Sequence, residues 1–529
     1  MLRLFTSARF VGLARNWFER IIAALVDDAR SERTMVLLLT GYAAVWSLYA
    51  FIAKSGQDIH PDMGEMVAWS REVGLGTPKH PPLAPWLVGA WFRVFPREDW
   101  AYYLFAMILP TVALWITWRI SARYLSRDKR VVGIAILTLV PFYNFLALKF
   151  NANTVLTPFW AATTWWFLRS FETRRVGWAV LAGIGAAATM LGKYWSVILL
   201  AGLGLAALTD FRRDSYFGSP APYVTLAVGT ILLTPHIDWM IAHHFVTITY
   251  ATAAHPATSF TAARSALDFI GGSLCYIAAP IVLSVFAAQP NAAVIRDTLW
   301  PVDPDRRTLV FAFAAPFLFA ALVAVLLQVA IAPLWAISAM TLLPVVLLSS
   351  PLVIISRRAA FRLVALAIAF PLIMVAISPV IAIVSRRNSV ANHESHYRLI
   401  AQAVERAWYA YTNKPLRIVG SFDSLINGTA FYFVDQPLTF DIMNPTQTPW
   451  IDGDRIGRDG IAIVCPESDP FCMQAISYYL AYYRAKETKD VVIARRYLGM
   501  YDTPMSYKIV VIPPNSIDLE HRKHPNKAQ

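Results

Sequence analysis

The chain is poor in charge. Only 15% of its 529 residues are Asp, Glu, Lys or Arg, against about 25% in a soluble globular chain. It has three cysteines, Cys275, Cys465 and Cys472, and no second Cys or His pair joins them at metal-ligand spacing. No glycine-rich nucleotide fingerprint follows any strand-like segment. The net charge of +13 comes without a zinc-finger or RNA-binding motif, so it does not point to nucleic acid. The N-terminal stretch lacks a cleavage site, which argues against a signal peptide.

What fills the chain is apolar sequence. Hydrophobic residues make up 57% and the mean hydropathy is +0.47. This is the composition of a polytopic membrane protein with room for a soluble domain. A span needs about 20 mostly apolar residues. Eleven runs qualify: 35–53, 101–121, 131–149, 154–171, 177–193, 195–210, 220–240, 267–289, 308–331, 335–355 and 361–384. The weakest stretch is 177–210, which has to turn near Lys193.

Arg and Lys test that count. Clusters at Arg30 and Arg33, Arg119–Arg130, Arg169–Arg175, Arg212 and Arg213, Arg306 and Arg307, and Arg357–Arg362 all fall on one side of an eleven-span chain. That side is expected to be cytoplasmic. Arg386 and Arg387 are the exception. The N-terminus, with Arg3, Arg9, Arg15 and Arg20, is then a cytoplasmic interfacial helix over 1–34. Residues 35–385 form the transmembrane module, with a first external loop over 54–100. Residues 386–529 form an external soluble domain. HYRLIAQAVERAWYAY has helical periodicity, while LRIVGSF, GIAIVCP and YKIVVIPP read as buried strands. A small α/β domain follows. In an oxidising space Cys465 and Cys472 form a short disulfide loop; otherwise they are two free thiols. The tail after Pro514 is polar.

The external face gathers the ionisable residues. Pro61 suits a helix N1 position and Gly74 its end. Asp62 and Glu65 then lie in the first turn, and Asp58 shares their face if the turn extends back to it. A Trp-rich amphipathic helix starts near Pro82 and suits the membrane interface.

These pieces resemble the family-39/83 type of GT-C membrane glycosyltransferases. That type includes the protein O-mannosyltransferases, the lipid A aminoarabinose transferase and rhizobial lipopolysaccharide galacturonosyltransferases. The likeness rests on PDMGEMVAWSREVGLGTPKHPPLAPWL from Pro61 to Leu87, ATMLGKYWSVILL at 188–200, and LLTPHIDWM at 232–240. Their order and spacing match over about 60–250. The resemblance implies transfer of a sugar from a polyprenyl phosphate to a hydroxyl of a lipid, glycan or protein of the cell envelope. It implies a bacterial inner membrane and a periplasmic site. The acceptor hydroxyl needs a base. Asp62 matches the Asp of the family's acidic pair, although an acid at a helix start also serves the dipole. Met63 stands where relatives have Glu, and Glu65 is the substitute within reach. Asp58 is a second candidate base or a plain polar loop residue.

The leaving phosphate calls for cations. His80 matches a donor-phosphate position, and Lys79 stands where relatives are often acidic, which casts doubt on a metal there. Lys193 matches the lysine of the family's LxKY segment, with snorkelling to headgroups as its other reading. Tyr194 holds a phosphate oxygen or anchors the interface. Lys149, Asn153, His236, Asp238, His255 and Arg264 are candidate substrate-binding residues, with Asn153 where relatives show Asp. His236 with His243 or His244 is the only weak metal spacing, so no cofactor is called for and a divalent metal is not favoured. The expected partners are a polyprenyl-phosphate sugar, an envelope acceptor and membrane lipids. A transporter or flippase is the alternative, but it should carry midplane charges and repeated halves. An assembly protein would leave Asp58, Asp62, His80 and Lys193 unexplained.

Overall fold

The computed structural model describes residues 16, 18–72, 74–387, 392–483 and 487–514. Arg3, Arg9, Arg15 and the tail after Pro514 lie outside them. The chain folds into two compact units. A helical unit comprises Met1–Tyr49, Lys79–Leu83 and Tyr103–Ala376. A sheet unit comprises Ala50–Pro78, Ala84–Tyr102 and Ile377–Gln529.

Each of the eleven apolar runs contains helix, though several are broken or end early. Among the described residues, five helices are long and apolar enough to cross a membrane: Ser31–Ala53, Asp99–Tyr124, Ala221–Ala242, Pro304–Leu326 and Arg357–Arg387. Two bent pairs raise that number to seven if each is one span. Val176–Gly192, Tyr194–Thr209 and Pro333–Leu348 are shorter apolar helices. The sequence does not show the bends, and one of them has a clear cause. Arg127–Leu137 meets Pro141–Leu148 at 82°. Pro141 has no N–H to continue the ladder. The Asn144 amide compensates by donating to the Thr138 and Val140 carbonyls at 3.0 and 3.1 Å. An irregular backbone inside an apolar bundle survives only with its polar groups satisfied in this way.

The helices of this unit pack through small residues, which let backbones approach. A Cβ on Gly183 would lie 2.7 Å from the Thr225 carbonyl oxygen of the neighbouring helix. Gly202 is as close to the Pro316 ring. The turn at Lys193, expected from the sequence, is held by Ser196. Its hydroxyl donates to the Thr189 carbonyl at 2.9 Å and accepts from the Trp160 indole at 2.9 Å.

In the sheet unit, seven strands are described: β1 Ile418–Ser421, β2 Leu438–Asp441, β3 Ile461–Pro466, β4 Glu487–Ile493, β5 Arg496–Tyr497, β6 Met500–Tyr501 and β7 Met505–Ile512. The main sheet has the order β2-β1-β3-β7-β4, parallel on the β2-β1-β3 side and antiparallel beyond. β3 explains why GIAIVCP is apolar throughout. Ala462 and Val464 pack with helix Tyr397–Tyr409, while Ile461, Ile463 and Cys465 pack on the other face with helix Pro470–Tyr482. A central strand buried on both faces reads as a continuous apolar run. Cys465 and Cys472 are disulfide-bonded and buried, joining β3 to that second helix. β2 and β4 were not expected, because LTFD and ETKDVVI carry charge and lie at the sheet edges. Cys275 is a free, exposed thiol.

Candidate active site

Each unit holds its own set of chemical groups. In the helical unit the set centres on Lys193, the residue that ends helix Val176–Gly192. Its Nζ donates to the Asn153 side-chain oxygen at 2.7 Å. The same nitrogen lies 4.4 Å from the centre of the Trp335 ring. Trp335 also meets the rings of Trp195 and His255, at 5.0 and 5.3 Å. The ammonium is thus fixed between an amide oxygen and an aromatic face, an arrangement that orients a cation. Partial desolvation, followed by the Lys193 charge, pushes the His255 imidazole below its ordinary value.

One residue on, the Tyr194 hydroxyl meets His236 Nε2 at 2.7 Å and Met240 Sδ at 3.0 Å. His236 is buried and stacks on Trp239. Lys79 and His80 are half-buried, and the Lys79 ammonium lies 5.8 Å from the Tyr250 ring centre.

In the sheet unit, Pro61 does occupy the first position of helix Pro61–Arg71. His60 caps that helix, its Nδ1 accepting from the Asp62 N–H at 3.1 Å. The Asp62 carboxylate lies 3.2 Å from the same Nδ1, and both side chains are partly exposed. One nitrogen cannot accept from the backbone and donate to the carboxylate at once. Glu65 lies 3.5 Å from the Asn427 amide.

Asp58 departs from the expected helical face. The helix begins at Pro61, so Asp58 precedes it, outside any helix or strand. It is buried, ion-paired with Arg495 at 2.7 Å, and it accepts from the Arg398 N–H at 3.0 Å. Burial drives its carboxyl above the usual carboxylate range, against the pull of Arg495 and Arg398.

A family model described as dolichyl-phosphate-mannose-protein mannosyltransferase matches residues 79–239. The lipopolysaccharide core galacturonosyltransferase RgtB of Rhizobium johnstonii is 28% identical over 182 residues, 34% of this chain and 37% of the relative. The lipid A galacturonosyltransferase RgtD of the same organism is 21% identical over 41% of this chain and 46% of its own. The chain therefore matches less than half the length of either relative. The crystal structure of ArnT from Cupriavidus metallidurans bound to undecaprenyl phosphate superposes with a TM-score of 0.57. At 13% identity, that likeness covers 89% of this chain and 97% of ArnT. Its apo form gives a TM-score of 0.56. The fold is that of a GT-C membrane glycosyltransferase.

On this GT-C frame the family-matched stretch holds Lys79, His80, Lys149, Asn153, Lys193, Tyr194, His236 and Asp238, while Asp58, Asp62 and Glu65 precede it. The structure joins Lys193 to Asn153, and Tyr194 to His236. It does not bring in two others. Asp238 is exposed on its helix. Arg264 is exposed too and faces Asp268 one turn along, at 3.9 Å. His243 is occupied with the Trp239 carbonyl at 2.8 Å. Among the described residues no three His, Cys, Asp or Glu stand close enough to share a metal ion.

Sequence reasoning missed Trp335 and His60. Trp335 lies in an apolar run that gives no sign of a polar neighbour. His60 had a usable signal, a side-chain acceptor directly before a proline at the helix start. Arg398 and Arg495 were missed because their partner Asp58 is more than 300 residues away.

Proposed function

We propose that the protein is a polyprenyl-phosphate-sugar-dependent glycosyltransferase of a bacterial inner membrane, working on the periplasmic face. The observation that carries this reading is the ammonium of Lys193, a residue of the family-matched stretch, held between Asn153 and Trp335. A preset cation of this kind stabilises negative charge as it develops on a leaving phosphate. ArnT, which has this fold, was solved with undecaprenyl phosphate.

In this reading Asp62 takes the proton of an acceptor hydroxyl. The oxygen attacks the anomeric carbon, the bond from that carbon to the phosphate oxygen breaks, and polyprenyl phosphate leaves with the electron pair. Lys193, with His80, Lys79 and Tyr194, receives the phosphate charge. His60, whose Nδ1 accepts from the Asp62 N–H, positions Asp62 at the helix start. Asp58, enclosed by Arg495 and Arg398, holds the segment before the helix rather than acting as a base. Glu65 assists in the place of the family's second acid. Lys149, Asn153, His236 and His255 contact the donor.

The two curated relatives act on lipopolysaccharide core and lipid A. We take the acceptor to be lipopolysaccharide and the sugar to be a uronic acid. The eleven-span topology, a cytoplasmic N-terminus over 1–34, the transmembrane module over 35–385 and a periplasmic domain over 386–529 belong to the same proposal. Mass spectrometry of lipopolysaccharide from cells with and without the protein tests it. The expected result is loss of one sugar mass in its absence; identical lipopolysaccharide in both would overturn this acceptor.

A further inference from the structure

The helical unit holds a polar cavity that the proposed transfer does not use. It encloses about 550 Å³, within the roughly 300–1,000 Å³ of ligand pockets. Arg119, Arg123, Arg130 and Arg169 line it, against two carboxylates, Asp28 and Glu32. Three of these guanidinium groups lie against indoles: Arg130 at 3.3 Å from the Trp118 ring centre, Arg169 at 5.6 Å from Trp178 and Arg119 at 5.8 Å from Trp165.

Most of the cations have acidic partners. Arg119 pairs with Glu32 at 3.3 Å, and Arg123 and Arg169 share Glu172. Arg130 is different. Its Nε donates to the Trp118 carbonyl at 2.8 Å, and no carboxylate among the described residues pairs with it. Stacked on a buried tryptophan, its fork is held in one plane. A planar guanidinium of this kind matches two phosphate oxygens at once. The cavity wall also carries Trp165, Trp178 and Tyr124. Tryptophan and tyrosine with arginine at helix ends mark the headgroup level of a bilayer.

We propose that this cavity binds the phosphodiester headgroup of an anionic membrane lipid, with Arg130 and Arg119 as its phosphate fork. Basic pockets between membrane helices recognise such headgroups, at a cost of roughly fivefold in affinity for each cation removed. Glu32 opposes the ligand, and its neutral replacement should tighten binding.

The test is a native mass-spectrometric titration of the purified full chain in detergent with dioleoyl phosphatidylglycerol, dioleoyl phosphatidylcholine or glycerol phosphate. The expected result is selective retention of phosphatidylglycerol, about fivefold weaker in Arg130→Gln and tighter in Glu32→Gln. Equal retention of both lipids would overturn the proposal, as would unchanged phosphatidylglycerol affinity in both variants. Glycerol phosphate binding as tightly as the lipid would assign the cavity to a soluble phosphate ester and overturn the lipid. If Arg130→Gln does not fold, the wild-type lipid comparison and Glu32→Gln decide.

Discussion

A single lysine shows how much a residue's surroundings decide. Lys193 reads in sequence as either a phosphate ligand or a snorkelling interface residue. The structure gives it an amide oxygen and an indole face. The motif made Lys193 legible; Trp335, 142 positions on in an apolar run, was not. Replacing Trp335 by Ala should raise the KM for the polyprenyl-phosphate donor about 3- to 10-fold, the range of a partly desolvated cation–π contact. Phe should restore most of it, and the KM for the acceptor should stay put. Equal shifts in both constants would count against a phosphate role for Lys193. His396 makes a second residue-scale case. It is buried, with Nε2 on Asp502 at 2.7 Å and Nδ1 on the Tyr507 hydroxyl at 3.1 Å. Burial lowers its pKa from the ordinary 6.5, although Asp502 pulls the other way. Below about 6.5 the unfolded chain therefore binds a proton that the folded chain does not, and stability falls as pH falls. The thermal midpoint should drop between pH 7.5 and 5.5, less steeply in His396→Asn. The same slope in both proteins would remove His396 from the account.

At the scale of elements, the apolar runs were legible because a membrane helix and a doubly buried strand both write themselves as uninterrupted hydrophobic sequence. The bend at Pro141 and the edge strands β2 and β4 were not, since a break or an edge depends on what lies beside it. Helix Pro61–Arg71 was placed by its proline, yet its docking was hidden. Within the sheet unit, Gly64 packs on the segment Asp423–Ala430, where an added Cβ would stand 2.0 Å from the Asn427 carbonyl oxygen. Arg71, from the same helix, donates to the carbonyls of Ala430 and Pro437. Burial, with Arg97 nearby, pushes its pKa down to about 9. Gly64→Ala should therefore destabilise the sheet unit by about 1–3 kcal/mol, the usual cost of overpacking, and speed its proteolysis. Wild-type protease resistance in that variant would show that the helix is free to shift.

For the whole molecule, composition alone made the membrane class legible, and three ordered motifs made the resemblance to GT-C glycosyltransferases visible. The fold agrees over nine-tenths of the chain at 13% identity. Such agreement reflects helix packing and apolar pattern more than residue identity, and it leaves the sugar and the acceptor to be decided by a few side chains. The domain line expected near residue 385 has a simple physical basis in hydropathy. The loop segments Ala50–Pro78 and Ala84–Tyr102 group with the sheet unit by their contacts. The account turns on one carboxylate in that loop. The decisive measurement is transfer by purified Asp62→Asn, supplied with a polyprenyl-phosphate uronic acid and lipopolysaccharide, alongside its binding of undecaprenyl phosphate. Transfer should be lost, by at least about 100-fold, the lower range for a general base, with lipid-phosphate binding intact. Transfer at the wild-type rate would contradict the account.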